Sequence, residues 1–110
     1  MERMEPIEIS PAEVAEALQG DAEIVLLDCR EADEVQIASI AGAVHVPMQN
    51  VPDRLDSIEK DKPLIVFCHR GMRSRRVAEF LRDRGFAGAR SMSGGIAAWS
   101  RTIDPSVPQY

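Results

Sequence analysis

Two short runs of apolar residues without polar interruption mark the centre of the predicted fold. They lie at residues 24–27 and 64–67. Strands covered on both faces carry apolar residues at consecutive positions, so these runs predict neighbouring strands of a parallel sheet. Weaker strands are predicted at residues 7–9, 44–46 and 89–92, which makes a central parallel sheet of about five strands.

Polar capping residues predict where the first helix begins. Ser10, Pro11 and Glu13 match a capping box in which Ser10 is the N-cap and Pro11 is the first helical residue. The predicted helix spans residues 11–19. Gly20 is expected to take a left-handed conformation that lets the chain leave the helix.

Helical spacing of apolar residues recurs between the predicted strands. It is present over residues 51–58, and the clearest helix is predicted over residues 75–84. That helix should end at Gly85, with Phe86 folding back onto Leu81 in a Schellman motif. The alternation of strands and helices predicts the α/β fold class, with helices on both faces of the sheet.

Length and composition limit the organisation and the partners of the chain. A chain of 110 residues with 45% hydrophobic content is expected to form one domain over residues 1–110, with its core at about 7–100 and a short irregular tail at 101–110. The net charge of -5 argues against nucleic acid as a partner. No apolar run suits a membrane span, and the first six residues lack the apolar stretch of a signal peptide. We therefore expect a cytoplasmic protein without a membrane partner.

One loop combines a cysteine with several arginines. Cys68 follows the second apolar strand and precedes a predicted helix, and Arg70, Arg73, Arg75 and Arg76 come next. A thiolate at the N-terminus of a helix is stabilised by backbone N–H dipoles and by nearby positive charge. The same amides and arginines suit a small anion. The alternative is that Cys68 is a small buried hydrophobe beside a solvated arginine face, but the clustering of four arginines favours a nucleophile.

The order of several motifs resembles the rhodanese, or sulfurtransferase, family from about Ile7 to Trp99. In that family the loop cysteine takes the outer sulfur of thiosulfate, releases sulfite and passes the sulfur to cyanide or to a thiol or protein acceptor. The resemblance implies a rhodanese-type domain without a cofactor, a persulfide on Cys68 as the catalytic species, and substrate contacts from the rest of the loop. The matching segments are residues 26–31 with Glu34, 40–43, Val46-Pro47, Cys68–Ser74, Gly85-Phe86 and 94–99, and the expected substrate-binding residues are His69, Arg70, Gly71, Met72 and Arg73.

Other polar residues near the predicted strand ends are assigned structural roles. Asp28 and Arg30 are expected to form a buried ion pair, and Ser74 to support the loop. His69 is expected to face solvent, because neighbouring side chains in an extended loop diverge. No metal is expected, since no pair of cysteines or histidines has the short spacing of a zinc site. Gly94-Gly95 is interpreted as a tight turn.

Cys29 occupies the middle of the Asp-x-Arg segment, where relatives usually carry a small or β-branched residue. The simplest interpretation is a buried thiol with a raised pKa. The alternative is a resolving thiol that forms a disulfide with Cys68 on oxidation. Peptide mapping after mild peroxide treatment distinguishes the two interpretations.

Two other functions share parts of this pattern. Cysteine-dependent phosphatases and arsenate reductases have a similar strand, loop and helix, but five residues separate their cysteine from the arginine. Here four residues separate Cys68 from Arg73, and Ser74 stands where such an enzyme has its arginine. A non-catalytic rhodanese-like module that recruits a protein is the third possibility, and the intact cysteine with its arginines argues against it.

Overall fold

The computed structural model describes residues 5–110, which contain a five-stranded sheet in the order β1-β5-β4-β2-β3 with all neighbouring strands parallel. The predicted α/β class is confirmed. In chain order the elements are β1 (Glu8–Ile9), α1 (Pro11–Gln19), β2 (Val25–Asp28), α2 (Ala32–Ile37), β3 (Val44–His45), a 3₁₀ helix (Met48–Ser57), β4 (Leu64–Phe67), α3 (Met72–Asp83), β5 (Ala89–Met92) and α4 (Gly95–Thr102).

The two apolar runs are neighbouring parallel strands, as predicted. β2 and β4 pair from Val25 with Leu64 to Asp28 with Phe67. Side chains alternate between the faces of a strand, so β4 contributes to two separate cores. One face packs against α3 and the 3₁₀ helix, and the other packs against α1 and α4. Cys68, the residue after β4, is buried on the α3 side.

The predicted start of α1 is confirmed and the predicted exit is wrong. Ser10 Oγ accepts from the Glu13 amide at 3.1 Å, and Glu13 Oε1 accepts from the Ser10 amide at 3.3 Å, which completes the capping box. Gly20 has φ -83° and ψ -178°, so it is extended rather than left-handed. The Gly20 amide bonds back to the Ala17 carbonyl at 3.2 Å, which ends the helix without a positive φ.

The helix predicted over residues 75–84 begins three residues earlier, at Met72, and ends as expected. Gly85 has φ +96°, and its amide donates to the Arg82 carbonyl at 3.2 Å. The Phe86 amide donates to the Leu81 carbonyl at 3.0 Å, which completes the predicted Schellman motif.

Three further elements show where the sequence pattern was incomplete. The segment around residues 51–58 forms a 3₁₀ helix, and Pro52 inside it has no amide to donate to an α-helical ladder. α2 was not predicted because none of its six residues is buried. α4 was not predicted either, because the Gly94-Gly95 pair at its start is typical of a turn and not of a helix. The pair does form the expected turn, with φ +74° and +60°.

The chain turns back after α4. α4 extends to Thr102, two residues into the predicted irregular tail, and the Ser100 hydroxyl then donates to the Val107 carbonyl. Val107 is buried in the core on the α1 and α4 side, which directs the last residues towards the carboxyl end of the sheet. None of the helices between residues 5 and 110 is long and apolar enough to cross a membrane. The signal-peptide prediction concerns a segment that includes residues 1–4, which lie outside the described residues.

Candidate active site

Cys68 lies where β4 ends and the turn into α3 begins, with 1% of its surface exposed. Its Sγ accepts two backbone hydrogen bonds, from the Gly71 amide at 3.1 Å and from the Ser74 amide at 3.3 Å. Gly71 is the N-cap of α3, and φ +105° at this glycine turns its amide towards the sulfur. Two N–H donors and the N-terminus of a helix therefore converge on one sulfur atom, which stabilises negative charge there.

The N-terminus of α4 holds the other side of the loop. The Ile96 amide donates to the Cys68 carbonyl at 2.9 Å, and the Ala97 amide donates to the His69 carbonyl at 3.0 Å. A Cβ on Gly95 would overlap both of these carbonyl oxygens. The glycine pair is therefore more than a turn, because Gly95 allows the loop to lie directly against α4.

The four predicted arginines separate into two groups. Arg70 and Arg73 border a small open cleft of about 210 Å³ that is lined by residues 68–70, Met72 and Arg73. Arg75 lies on the outer face of α3, 3.8 Å from Glu79, and Arg76 borders an apolar groove elsewhere on that helix. Only two of the four side chains are thus available to an anion at Cys68.

Arg73 is bound by Glu34, a carboxylate to which no local sequence pattern gives a role. Its Nη1 and Nη2 donate to the two carboxylate oxygens of Glu34 at 2.7 and 2.9 Å. This bidentate contact lowers the pKa of Glu34 to about 2. It also raises the pKa of Arg73. Glu34 lies in α2, within the segment used for the family resemblance, so its position was visible in the sequence but its partner was not.

Asp28 and Arg30 form the buried ion pair expected from the sequence. Arg30 Nε donates to Asp28 Oδ1 at 2.9 Å and Arg30 Nη2 donates to Oδ2 at 2.7 Å, with the two residues 0% and 2% exposed. Nη2 also donates to the Ala38 carbonyl at 2.7 Å. The guanidinium thus connects β2 to the end of α2, and its donors are occupied by protein groups.

Ser74 is fully buried beneath the loop, next to the sulfur. Its Oγ lies 3.5 Å from Cys68 Sγ, donates to the Gly71 carbonyl at 3.2 Å, and lies 2.7 Å from Ser91 Oγ. Ser91, in β5, had not been singled out, because a single serine in a weak strand carries no local signal. The two hydroxyls support the turn from below.

The expectation that His69 faces solvent is wrong for its ring. The ring stacks on Tyr110 with centroids 3.9 Å apart and planes within 8°, and Nε2 lies 2.7 Å from the main-chain oxygen of Tyr110. The last residue of the sequence therefore lies against the residue that follows Cys68. Sequence spacing contained no sign of this contact, since 41 positions separate the two residues.

The sequence profile of the family described as Rhodanese-like domain matches residues 10–102. The chain belongs to the rhodanese-like family. A putative sulfurtransferase of Bacillus subtilis, YtwF, is 37% identical over 93% of this chain and 98% of its own length. The thiosulfate sulfurtransferase GlpE of Actinobacillus succinogenes is 33% identical over 94% of this chain and 92% of its own length. These relatives support a rhodanese-type sulfurtransferase.

The solved structures agree with the rhodanese-like assignment. A crystal structure of a rhodanese-like domain protein from Staphylococcus aureus superimposes with a TM-score of 0.81 at 28% identity, covering 94% of this chain and 97% of that chain. The predicted rhodanese-type fold is thereby confirmed.

In this rhodanese-like domain the two cysteines lie side by side. The Cys29 amide donates to the Phe67 carbonyl at 3.1 Å, so the hydrogen bonding of β2 with β4 continues one residue beyond their last register pair, Asp28 with Phe67. Cys29 is 0% exposed, and its Sγ donates to the Phe67 carbonyl at 3.4 Å. Burial raises the pKa of the Cys29 thiol far above its usual range, as the simpler sequence interpretation expected.

Proposed function

We propose that this domain carries sulfane sulfur as a persulfide on Cys68, taking it from thiosulfate and passing it to cyanide or to a thiol or protein acceptor. The observation that supports this most is the convergence of the Gly71 and Ser74 amides on Cys68 Sγ. Such donors stabilise both the attacking thiolate and the persulfide anion. A carrier that depends on a free thiol also needs a reducing compartment, and we propose the cytoplasm.

The proposed reaction has two balanced displacements. The Cys68 thiolate attacks the outer sulfur of thiosulfate, the sulfur–sulfur bond of thiosulfate breaks, and sulfite leaves with the bonding electron pair. The acceptor, cyanide or a thiolate, then attacks the outer sulfur of the persulfide. Cys68 leaves as a thiolate, so the protein returns to its starting state and thiocyanate or a new persulfide is released.

The remaining loop residues are proposed to bind the donor anion. Arg70 is exposed at the cleft, and within residues 5–110 no carboxylate lies within ion-pairing distance of it. Its charge is therefore free to attract thiosulfate. Arg73 shares its guanidinium with Glu34, so its contribution to anion binding is smaller than that of Arg70. The main chain of His69, Gly71 and Met72 completes the anion cradle.

Intact-mass spectrometry after incubation with thiosulfate tests the persulfide. The wild-type chain should gain the mass of one sulfur atom, Cys29→Ser should gain the same mass, and Cys68→Ser should gain none. A sulfur atom retained on Cys68→Ser, or no addition to the wild-type chain, would overturn the proposal.

A second assay separates sulfur transfer from phosphoryl chemistry. Four residues, rather than five, separate Cys68 from Arg73, and the residue at the phosphatase arginine position, Ser74, is buried beneath the loop. A phosphoryl group needs a bidentate guanidinium aimed at its oxygens, and this loop has Ser74, not arginine, at the position that supplies it in such phosphatases. We expect no hydrolysis of p-nitrophenyl phosphate under conditions where thiocyanate forms readily. Phosphate release that disappears in Cys68→Ser would instead favour the phosphatase alternative.

A further inference from the structure

Tyr110 contacts three separate parts of the site. Its ring and its main-chain oxygen hold His69. Its hydroxyl donates to Glu34 Oε2 at 2.8 Å and accepts from Arg30 Nη1 at 2.8 Å. Glu34 in turn binds Arg73 through both of its oxygens. One side chain therefore joins the residue after Cys68, the buried arginine of β2 and the carboxylate that fixes the loop arginine.

We propose that Tyr110 is a positioning residue for the Cys68 loop, holding His69 with its ring and main-chain oxygen and holding Glu34, and through it Arg73, with its hydroxyl. The segments that resemble the family end at residue 99, so none of them includes Tyr110. Tyr110 affects sulfur transfer only if Cys68 carries the sulfur as proposed above, but its contacts with the loop are independent of that chemistry.

The hydroxyl is suited to a permanent bridging position. It accepts from a guanidinium that is 0% exposed and donates to a carboxylate, so its single proton has one favourable direction. Burial raises the pKa of Tyr110, which keeps the phenol protonated and able to donate at neutral pH. The bridge thus extends the rigid Asp28–Arg30 pair outwards to Glu34.

The C-terminal tail is held in place by contacts other than those of Tyr110. Val107 is buried, and the Val107 carbonyl accepts from the Ser100 hydroxyl, so the tail is anchored three residues before the tyrosine. Tyr110 packs against the edge of the core on the α1 and α4 side, so a substitution at Tyr110 should release the loop while leaving the Val107 anchor and the buried residues of both cores in place. Gln109 is exposed and provides a neighbouring control position.

Alkylation by iodoacetamide, followed by peptide mapping, measures loop opening without any sulfurtransferase assay. Cys68 is 1% exposed and reports opening of the loop, while the fully buried Cys29 reports unfolding of the domain. In Tyr110→Leu, Cys68 should react about fivefold faster or more, because a stacked ring and two partly buried hydrogen bonds are lost. Cys29 should react as in wild type, and Gln109→Ala should change neither rate.

Tyr110→Phe separates the ring from the hydroxyl. It keeps the stacking on His69, so the ring-current shifts of the His69 protons in NMR spectra should remain, whereas Tyr110→Leu should abolish them. In the thiosulfate assay Tyr110→Phe should raise KM about threefold with kcat within about twofold. Glu34 keeps its bond from the Glu31 amide but loses the hydroxyl, so Arg73 is oriented less firmly while the loop stays closed. Tyr110→Leu should lower kcat as well.

Wild-type rates of Cys68 alkylation in Tyr110→Leu would overturn the positioning role. Equal acceleration at Cys29 and Cys68 would also overturn it, because the tyrosine would then support global stability alone. Failure of the proposed function has a different signature: the wild-type chain would take up no sulfur from thiosulfate, while the alkylation difference between wild type and Tyr110→Leu would persist.

Discussion

Cys29 and Cys68 follow two paired strands, face the same core and are both almost completely buried. Their sulfur atoms nevertheless have opposite hydrogen-bonding environments. Cys29 Sγ donates to a carbonyl oxygen, which favours the neutral thiol, whereas Cys68 Sγ accepts from two amides at the start of α3, which favours negative charge. Burial alone therefore does not decide which cysteine can react. The direction of the surrounding N–H and C=O groups decides it.

The largest expected difference between the two cysteines is in turnover. Cys68→Ser should abolish thiocyanate formation from thiosulfate and cyanide, because a hydroxyl cannot form a persulfide. Cys29→Ser should retain activity within about threefold, since its thiol has no role in either displacement. The test is the steady-state rate of both variants, with circular dichroism to show that each is folded. Activity lost in Cys29→Ser and kept in Cys68→Ser would reverse the comparison.

The next largest effect concerns the contact of the Cys68 carbonyl with the start of α4, which Cys29 does not share. The Cys29 carbonyl accepts from the Met48 amide, at 2.9 Å, but the Cys68 carbonyl lies against Gly95, where a Cβ would overlap it. Gly95→Ala should shift the loop and reduce sulfur transfer by about 100-fold or more, because small displacements of a reacting group are costly.

Gly42→Ala is the matched control for backbone strain. Gly42 also has a positive φ, +85°, but a Cβ there would meet nothing within 4 Å. It should cost about 1 kcal/mol of stability and leave turnover unchanged. Equal activity losses in the two variants would show that left-handed strain, rather than contact with the loop, explains the effect.

The elements that were predicted from sequence are those specified by neighbouring residues. β4 and β5 have their predicted bounds, and α1 follows its capping box. The errors arose at residues with unusual backbones. Gly20 can adopt several conformations and ends α1 in the extended one, whereas Pro52 has no amide to donate and lies within a 3₁₀ helix.

The same distinction applies to the candidate site. The loop from Cys68 to Arg73 is contiguous and was identified from the sequence. The partners that hold it are distant in the chain: Glu34 is 39 positions from Arg73, and Tyr110 is 76 positions from Glu34. No local pattern specifies such contacts, so only the fold reveals them.

A smaller effect is expected of pH on the free energy of unfolding, through Glu34, the carboxylate that binds Arg73. Glu34 has its pKa lowered to about 2 by Arg73, and a carboxyl with a lowered pKa stabilises the fold above its ordinary value, 4.5. That contribution is lost as the pH falls from about 5 towards 2. Glu34→Gln should therefore lower the free energy of unfolding by about 1 kcal/mol at neutral pH, since the pair is partly exposed, and by less in acid.

Denaturant unfolding of wild type and Glu34→Gln across this pH range measures the difference. Glu16→Gln removes an exposed carboxylate from α1 and serves as the control, with no change expected at any pH. A difference between wild type and Glu34→Gln that stays constant from neutral to acid pH would show that the Glu34–Arg73 ion pair does not stabilise the fold.

The smallest expected effect is the response of Cys29 to mild peroxide. Extending the β2–β4 register by one residue places Cys29 beside Cys68, and paired strands are about 4.8 Å apart, which a disulfide can span. Disulfide formation nevertheless needs a thiolate at Cys29 or an exchange that reaches it. Its raised pKa and its hydrogen bond to the Phe67 carbonyl both oppose this. Peptide mapping of the folded protein should find oxidised Cys68 and unmodified Cys29, with a Cys29–Cys68 bridge forming only after denaturation. A bridge formed in the folded protein would make Cys29 a resolving thiol and remove the distinction drawn between the two cysteines.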